Sequence, residues 1–197
     1  MVLQEDNKRF EFGENWARFL TSLNEERIVA AEESLKNVLA VRDLKGLTFQ
    51  DIGSGSGLFS LAARRLGAKV TSFDLDQQSV ACTENLKSSY YPNDKSWTIK
   101  RGSAADQGFV KTLGSFDIVY SWGVLHHTGN MEAAFETIIP LVKKQGKLLL
   151  AIYNDQGLPT RYWSLIKKLY VRSVLMRYLI VCLHTPYFFS ADCCSGH

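Results

Sequence analysis

Neither sign of charge dominates this chain. Lys and Arg number 23 against 20 Asp and Glu, a formal net charge of +3, which is too small by itself to imply a nucleic-acid partner. Cysteine is also scarce: there are four, Cys82, Cys182, Cys193 and Cys194. None has metal-ligand spacing and two are adjacent, so they read as unpaired thiols of a cytosolic protein. No apolar run reaches the roughly 18 residues of a membrane span. Glu5, Asp6 and Lys8 stand where a secretory signal would carry its apolar core, so the N-terminus reads as lacking one and the protein as cytoplasmic. Internal repeats and low-complexity linkers are missing as well. What is present, 46% apolar and 22% charged residues over 197 positions, is the composition of one ordinary globular domain with a real core.

The most informative stretch runs from residue 47 to residue 76. Leu47, Phe49 and Ile52 make a short apolar run that stops at Gly53, Gly55 and Gly57. Glycines there let the backbone turn tightly and let a ligand press against bare peptide groups. Leu58, Phe59, Leu61, Ala62 and Leu66 then recur at helical spacing. The loop therefore opens a helix whose first N–H groups and positive dipole end face the ligand. A second strand, from Ala68 to Phe73, ends on Asp74, about 20 residues past the loop, where a carboxylate can hold two ribose hydroxyls. Strand, loop, helix, strand and acid in this order point to an adenosine-type ligand; a structural turn that happens to be glycine-rich is the bland alternative. A dinucleotide fingerprint has glycine at the first, third and sixth loop positions. Here the sixth is Leu58, and Asp51 stands two residues before the first glycine. That departure argues against NAD.

The run Asp51-Ile52-Gly53-Ser54-Gly55-Ser56-Gly57 resembles motif I of the class I S-adenosylmethionine-dependent methyltransferases. The resemblance covers residues 10 to about 163 and implies the rest of a site. The loop from Gly53 to Gly57, with Asp51 and Ser54, would bind the methionine end, and Asp74 the ribose. Leu75 would lie against adenine, with the backbone near Ser103 and Ala104 on its other side. Asp106 is either a further adenine contact or a cap for the helix carrying Phe109, Val110 and Leu113. The apolar strand Phe116–Ser121 and Trp122 end on the same sheet edge as Gly53, and the run from Trp122 through Leu125-His126-His127 resembles motif IV. Ser121, through its backbone, and Trp122 would meet the amino group. The Asn/Asp-Pro-Pro-aromatic signature of base-directed amino methylases is missing, which argues against a base methylase and leaves ribose or wobble-base chemistry open, although no nucleic-acid partner is expected. His127 is a candidate base, since a neutral imidazole accepts a proton near neutral pH; His126 reads as a polar residue satisfied under the loop. A metal at the pair is disfavoured because no third ligand is near in sequence.

Around this core, residues 1–45 read as two helices, the second from Glu25 to Val41 with Asn24 as its cap. Phe12, Trp16, Phe19 and Leu20 form a stripe that either packs on the sheet or, with Asn15, makes a lid over the cofactor. Asp76 caps a helix from Gln77 to Lys87 with Val80, Ala81 and Leu86 inward, and Trp97 to Lys100 is the third strand. Met131 to Val142 reads as a helix stopped by Gly146, then Lys147 to Tyr153 as the fifth strand, delivering Tyr153 and Asn154 to the ligand rim near Arg161, Tyr162 and Trp163. Thr160 to Leu183 reads as helix, and the tail past Pro186 has no clear pattern. The expected fold is α/β, a Rossmann-like doubly wound, mostly parallel sheet of strand order 3-2-1-4-5 with N-terminal helices, in which the family's final antiparallel hairpin reads as missing. The divisions expected are a helical cap (1–45), a cofactor-binding core (46–157) and a C-terminal helix and tail (158–197). An apolar fifth-strand edge needs cover, from the helix or from a second subunit, so a homodimer through either is expected as one possibility. The function implied is methyl transfer from S-adenosyl-L-methionine to a small-molecule acceptor without a metal. The alternatives are a scaffolding protein that binds the cofactor without turnover, and an NAD(P)-dependent oxidoreductase.

Overall fold

The computed structural model describes residues 13–153, 157–173 and 176–182. They form two units that divide between Ile152 and Tyr153. The first contains α1 (Gly13–Thr21), α2 (Glu25–Leu39), β1 (Thr48–Ile52), α3 (Leu58–Arg65), β2 (Lys69–Asp74), α4 (Gln77–Tyr90), β3 (Trp97–Arg101), α5 (Gln107–Lys111), β4 (Phe116–Trp122), α6 (Met131–Ile138) and β5 (Val142–Ala151). Its strands lie in the order β3-β2-β1-β4-β5 and every pairing is parallel. This is the doubly wound α/β sheet expected, with the order reversing between β1 and β4. Crevices for ligands open at such a reversal, at the carboxyl ends of the strands.

Both faces of the sheet are covered, so the strands carry apolar residues on both sides. Phe49, Val70, Trp97, Ile118 and Tyr120 pack beneath α2 and α3 with Ile28, Leu35, Leu39 and Leu61. Ile52, Phe73, Phe116 and Val119 pack on the opposite face with Val110, Ala134 and Ile138 of α5 and α6. Fully burying one such side chain contributes about 1.5–3 kcal/mol. Asn24 caps α2 as expected, its Oδ1 accepting the Arg27 N–H at 3.0 Å, and Asp76 caps α4 by accepting from Gln78 and Ser79.

Several boundaries differ from the sequence reading. Helix α2 ends at Leu39 rather than Val41, because Ala40 turns left-handed at φ 55° and returns its N–H to Asn37 and Lys36. Helix α4 continues past Lys87 to Tyr90, and Ala81 is exposed while Ser79, Cys82 and Thr83 are buried. Its inward face is partly polar because it meets the glycine loop. Helix α6 stops at Ile138; a 3-10 turn over Ile139–Leu141, with Pro140 in it, leads straight into β5 at Val142. Gly146 therefore lies inside a strand and stops no helix. Between the pairs Phe116–Val142 and Ile118–Lys147 the ladder shifts register, and an ideal Cβ on Gly146 would stand 2.9 Å from the Asp117 carbonyl. Glycine is needed at that bulge for close backbone approach.

In the second unit α7 spans Leu158–Arg172, and Ser173 is extended (φ −152°, ψ 135°). The chain is helical again over 176–182, with the Arg177 N–H bonded to the Ser173 carbonyl. The single helix expected from Thr160 to Leu183 is thus interrupted. Phe12, Asn154 and the tail past Pro186 lie outside the described residues. Among the described residues no helix is long and apolar enough to cross a membrane, and Cys82 and Cys182 are free thiols.

Candidate functional site

The chain leaves β1 and turns through Gly53 at φ 73° and Gly55 at φ 53°, a region that costs side-chain-bearing residues. Space forbids side chains there as well. An ideal Cβ on Gly53 would lie 2.4 Å from Cγ2 of Val124, and one on Gly55 would lie 2.8 Å from the Trp16 indole. The N–H groups of Gly53 and Ser54 bond the Phe73 carbonyl at 2.8 and 3.1 Å, which ties the loop to the end of β2. Ser54 is also held by Thr83 of α4, Oγ to Oγ1 at 3.0 Å. Helix α3 starts directly after Gly57, so its open N–H groups face the crevice.

Asp74 closes β2. Its Oδ2 accepts the Gly55 N–H at 3.0 Å and its Oδ1 accepts the Asp76 N–H at 2.9 Å. Burial raises its pKa, while those two backbone donors work against the rise. Each carboxylate oxygen has a second lone pair, so the group can hold the loop and still accept two hydroxyls. Asp51, at the end of β1, is buried, and its Oδ2 accepts from the Ser60 hydroxyl at 2.5 Å. Burial pushes its pKa up to about 7; the Ser60 hydrogen bond opposes this and the charge of Asp74 adds to it.

The remaining sequence candidates surround this centre. Leu75 is exposed, and its carbonyl accepts from Arg101 Nε at 3.2 Å. Ala104 is buried after β3, and Ser103 Oγ accepts the Ala105 N–H. The open question at Asp106 resolves toward a cap, since its Oδ1 accepts the Phe109 N–H at 3.0 Å. At the end of β4 Ser121 is buried, and its Oγ, like the Tyr120 hydroxyl, is buried without a hydrogen-bond partner. Trp122 is 55% exposed and its ring lies nearly parallel to those of Tyr120 and Phe59. His127 is exposed, its ring 4.0 Å from that of half-buried His126. Burial, and secondarily His127, lowers the His126 pKa.

The structure therefore brings Asp51, Gly53, Ser54, Gly55, Asp74, Leu75, Ser121 and Trp122 to the carboxyl ends of the three adjacent strands β1, β2 and β4. Ser103 and Ala104 follow β3, and His127 follows β4 in a 3-10 turn over Leu125–His127. Sequence reasoning missed Val124, Thr83 and the Ser60–Ser72–Trp97 chain behind Asp51. Each meets the loop or Asp51 from another element, and no local spacing announces such a contact. Trp16 faces Gly55 from α1, which decides what that part of the stripe touches.

A doubly wound sheet with a glycine turn on β1 and an acid closing β2 defines a class, the class I S-adenosylmethionine-dependent methyltransferase fold. The chain belongs to the methyltransferase domain family, whose profile matches residues 50–148. Over 122 residues it is 35% identical to a ubiquinone biosynthesis O-methyltransferase of Xanthomonas oryzae pv. oryzae, covering 61% of this chain and 48% of the relative. The protein of the same description from Caulobacter vibrioides is 29% identical over 116 residues, 56% of this chain and 42% of the relative. The chain thus spans about half the length of the curated relatives it matches. Among solved structures, magnesium protoporphyrin IX methyltransferase of Synechocystis PCC 6803 with bound SAH superposes with a TM-score of 0.59 at 21% identity, covering 80% of this chain and 74% of that one.

Proposed function

We propose that this chain binds S-adenosyl-L-methionine in the crevice above β1, β2 and β4 and transfers its methyl group to an oxygen of a small-molecule acceptor. The observation that carries the reading is the clamp of Asp74 on Gly55: one carboxylate fixes the glycine turn and keeps acceptor capacity for ribose hydroxyls. The unpartnered buried hydroxyl of Ser121 at the end of β4 fits a polar ligand. Oxygen as the acceptor atom is supported by the relatives described as O-methyltransferases.

When bound, the sulfonium supplies an already activated methyl group, so no metal is required for the displacement. The protein's task is to position. The turn Gly53–Gly57, with Asp51 and Ser54, holds the methionine end, and Asp74 holds the ribose. Leu75 and the backbone at Ser103 and Ala104 border the adenine, and Ser121 and Trp122 border the amino group. Trp16 on Gly55 acts as part of a lid that keeps water from the turn. His127, exposed in the 3-10 turn that follows β4, takes the proton that a hydroxyl acceptor loses. Calorimetry with S-adenosylmethionine, S-adenosylhomocysteine and NAD tests the cofactor: affinity for NAD alone overturns the reading. Release of S-adenosylhomocysteine over a panel of hydroxyl, amine and thiol acceptors tests the reaction, and turnover confined to amines or thiols removes the oxygen assignment.

A further inference from the structure

Behind the glycine turn, on the face covered by α2 and α3, a line of buried polar groups crosses three strands. Trp97 of β3 sends its indole N–H to Ser72 Oγ of β2 at 2.9 Å. Ser72 Oγ stands 2.6 Å from Ser60 Oγ of α3, and Ser60 Oγ stands 2.5 Å from Asp51 Oδ2 of β1. All four residues are at most 2% exposed. An indole nitrogen only donates and an ionised carboxylate only accepts. With both ends fixed, the hydroxyls between them have one arrangement: Trp97 donates to Ser72, Ser72 to Ser60, and Ser60 to Asp51. No such constraint holds once Asp51 is protonated.

We infer that Trp97, Ser72 and Ser60 form a one-way donor chain that orients Asp51 and favours its ionised form, making Trp97 a remote positioning residue for the cofactor site. A buried carboxylate without donors takes up a proton, and this chain opposes that by delivering an aligned charge-assisted hydrogen bond. The groups facing Asp51 are otherwise unhelpful to its charge. Asp74 of β2 repels it and the Tyr120 hydroxyl of β4 donates no hydrogen bond to it, while from α3 only Ser60 donates to it among the described residues. Ser60 and Ser72 sit at core positions where an apolar residue would otherwise be expected. The functional part rests on the proposed cofactor reading, in which an ionised Asp51 favours a ligand carrying an ammonium and a sulfonium.

The test reads the chain directly in the ligand-free protein. The Trp97 indole N–H resonance, identified by its loss in Trp97→Phe, is followed by NMR from pH 5 to 9. It is expected to titrate with the protonation of Asp51, to become flat in Asp51→Asn, and to stop titrating in Ser60→Ala, which cuts the chain. A flat Trp97 signal in the unaltered protein, or an unchanged titration in Ser60→Ala, overturns the inference. In parallel, S-adenosylmethionine affinity is measured against pH. Its midpoint should move to higher pH by about one unit in Ser60→Ala and by less in Trp97→Phe, which removes the donor together with part of the packed ring. A uniform loss of affinity with no movement of the midpoint would reduce the chain to ordinary packing. Failure of every variant and the parent to bind S-adenosylmethionine sinks the proposed function instead, and leaves the indole titration to decide the chain.

Discussion

Replacing Asp74 by alanine removes four acceptor sites from one half-buried point. Two are used by the chain itself, on the N–H groups of Gly55 and Asp76 at 3.0 and 2.9 Å. Two remain for the ribose hydroxyls in the proposed complex. A hydrogen bond to a charged group contributes about 1.5–3 kcal/mol, so losing both ribose contacts costs roughly 3 kcal/mol at the lower figure. That corresponds to about a hundredfold in Kd, with tenfold as the floor if water replaces one contact. Titration calorimetry with S-adenosylmethionine measures it, and thermal unfolding of the free protein measures the separate cost of freeing the glycine turn. Asp74→Asn, which keeps one acceptor and the size, should fall between the two proteins. A lowered Tm with unchanged affinity would show that Asp74 is only a brace for the turn, and the ribose assignment would fail.

Four further outcomes follow from named contacts. Gly53→Ala forces a side chain into φ 73° and against Val124; Tm should fall by several degrees, and Val124→Ala should restore only part of it because the backbone strain stays. Asp51 is held up to about 7 by burial, well above its unfolded value of about 3.9. Its contribution to stability is therefore fully present below pH 4 and is lost as pH rises through 7, and Asp51→Asn should flatten denaturant-measured stability across that window. Asp117 has the opposite sign: hydrogen bonds from Lys143 and Thr48 hold it at about 2, so its contribution exists above pH 4 and disappears as pH falls through 2. Comparing acid unfolding of Lys143→Met with the parent checks this, with an unchanged acid limb counting against it. His127→Gln should cut turnover by about 10²–10⁴ while leaving S-adenosylmethionine affinity in place; full activity would remove His127 as the base.

Legibility varied with the range of the interactions involved. The first βαβ unit was readable because glycine spacing, helical periodicity and the closing acid all act within 30 residues. The caps at Asn24 and Asp76 were readable for the same reason, since a cap bonds only two or three residues ahead. Gly146 was misread because a glycine after an apolar helix and a glycine in a bulged strand look alike along the chain. Only the carbonyls of Phe116 and Asp117, on the neighbouring strand, distinguish them. Ala81 was misplaced because α4 turns a polar face inward, where Thr83 meets Ser54, and apolar periodicity cannot register a buried hydroxyl.

Local chemistry along the chain determined the strand order's starting unit, the turn that requires glycine and the acid that closes β2, because each depends on neighbours a few residues away. Tertiary structure decided what stands behind and above that turn. The packing of β3, β2 and α3 lines Trp97, Ser72 and Ser60 up on Asp51, and the packing of α1 seats Trp16 on Gly55. Those contacts join residues 9 to 39 positions apart, and a hydrogen bond or ring contact across such a gap exists only once the layers have docked.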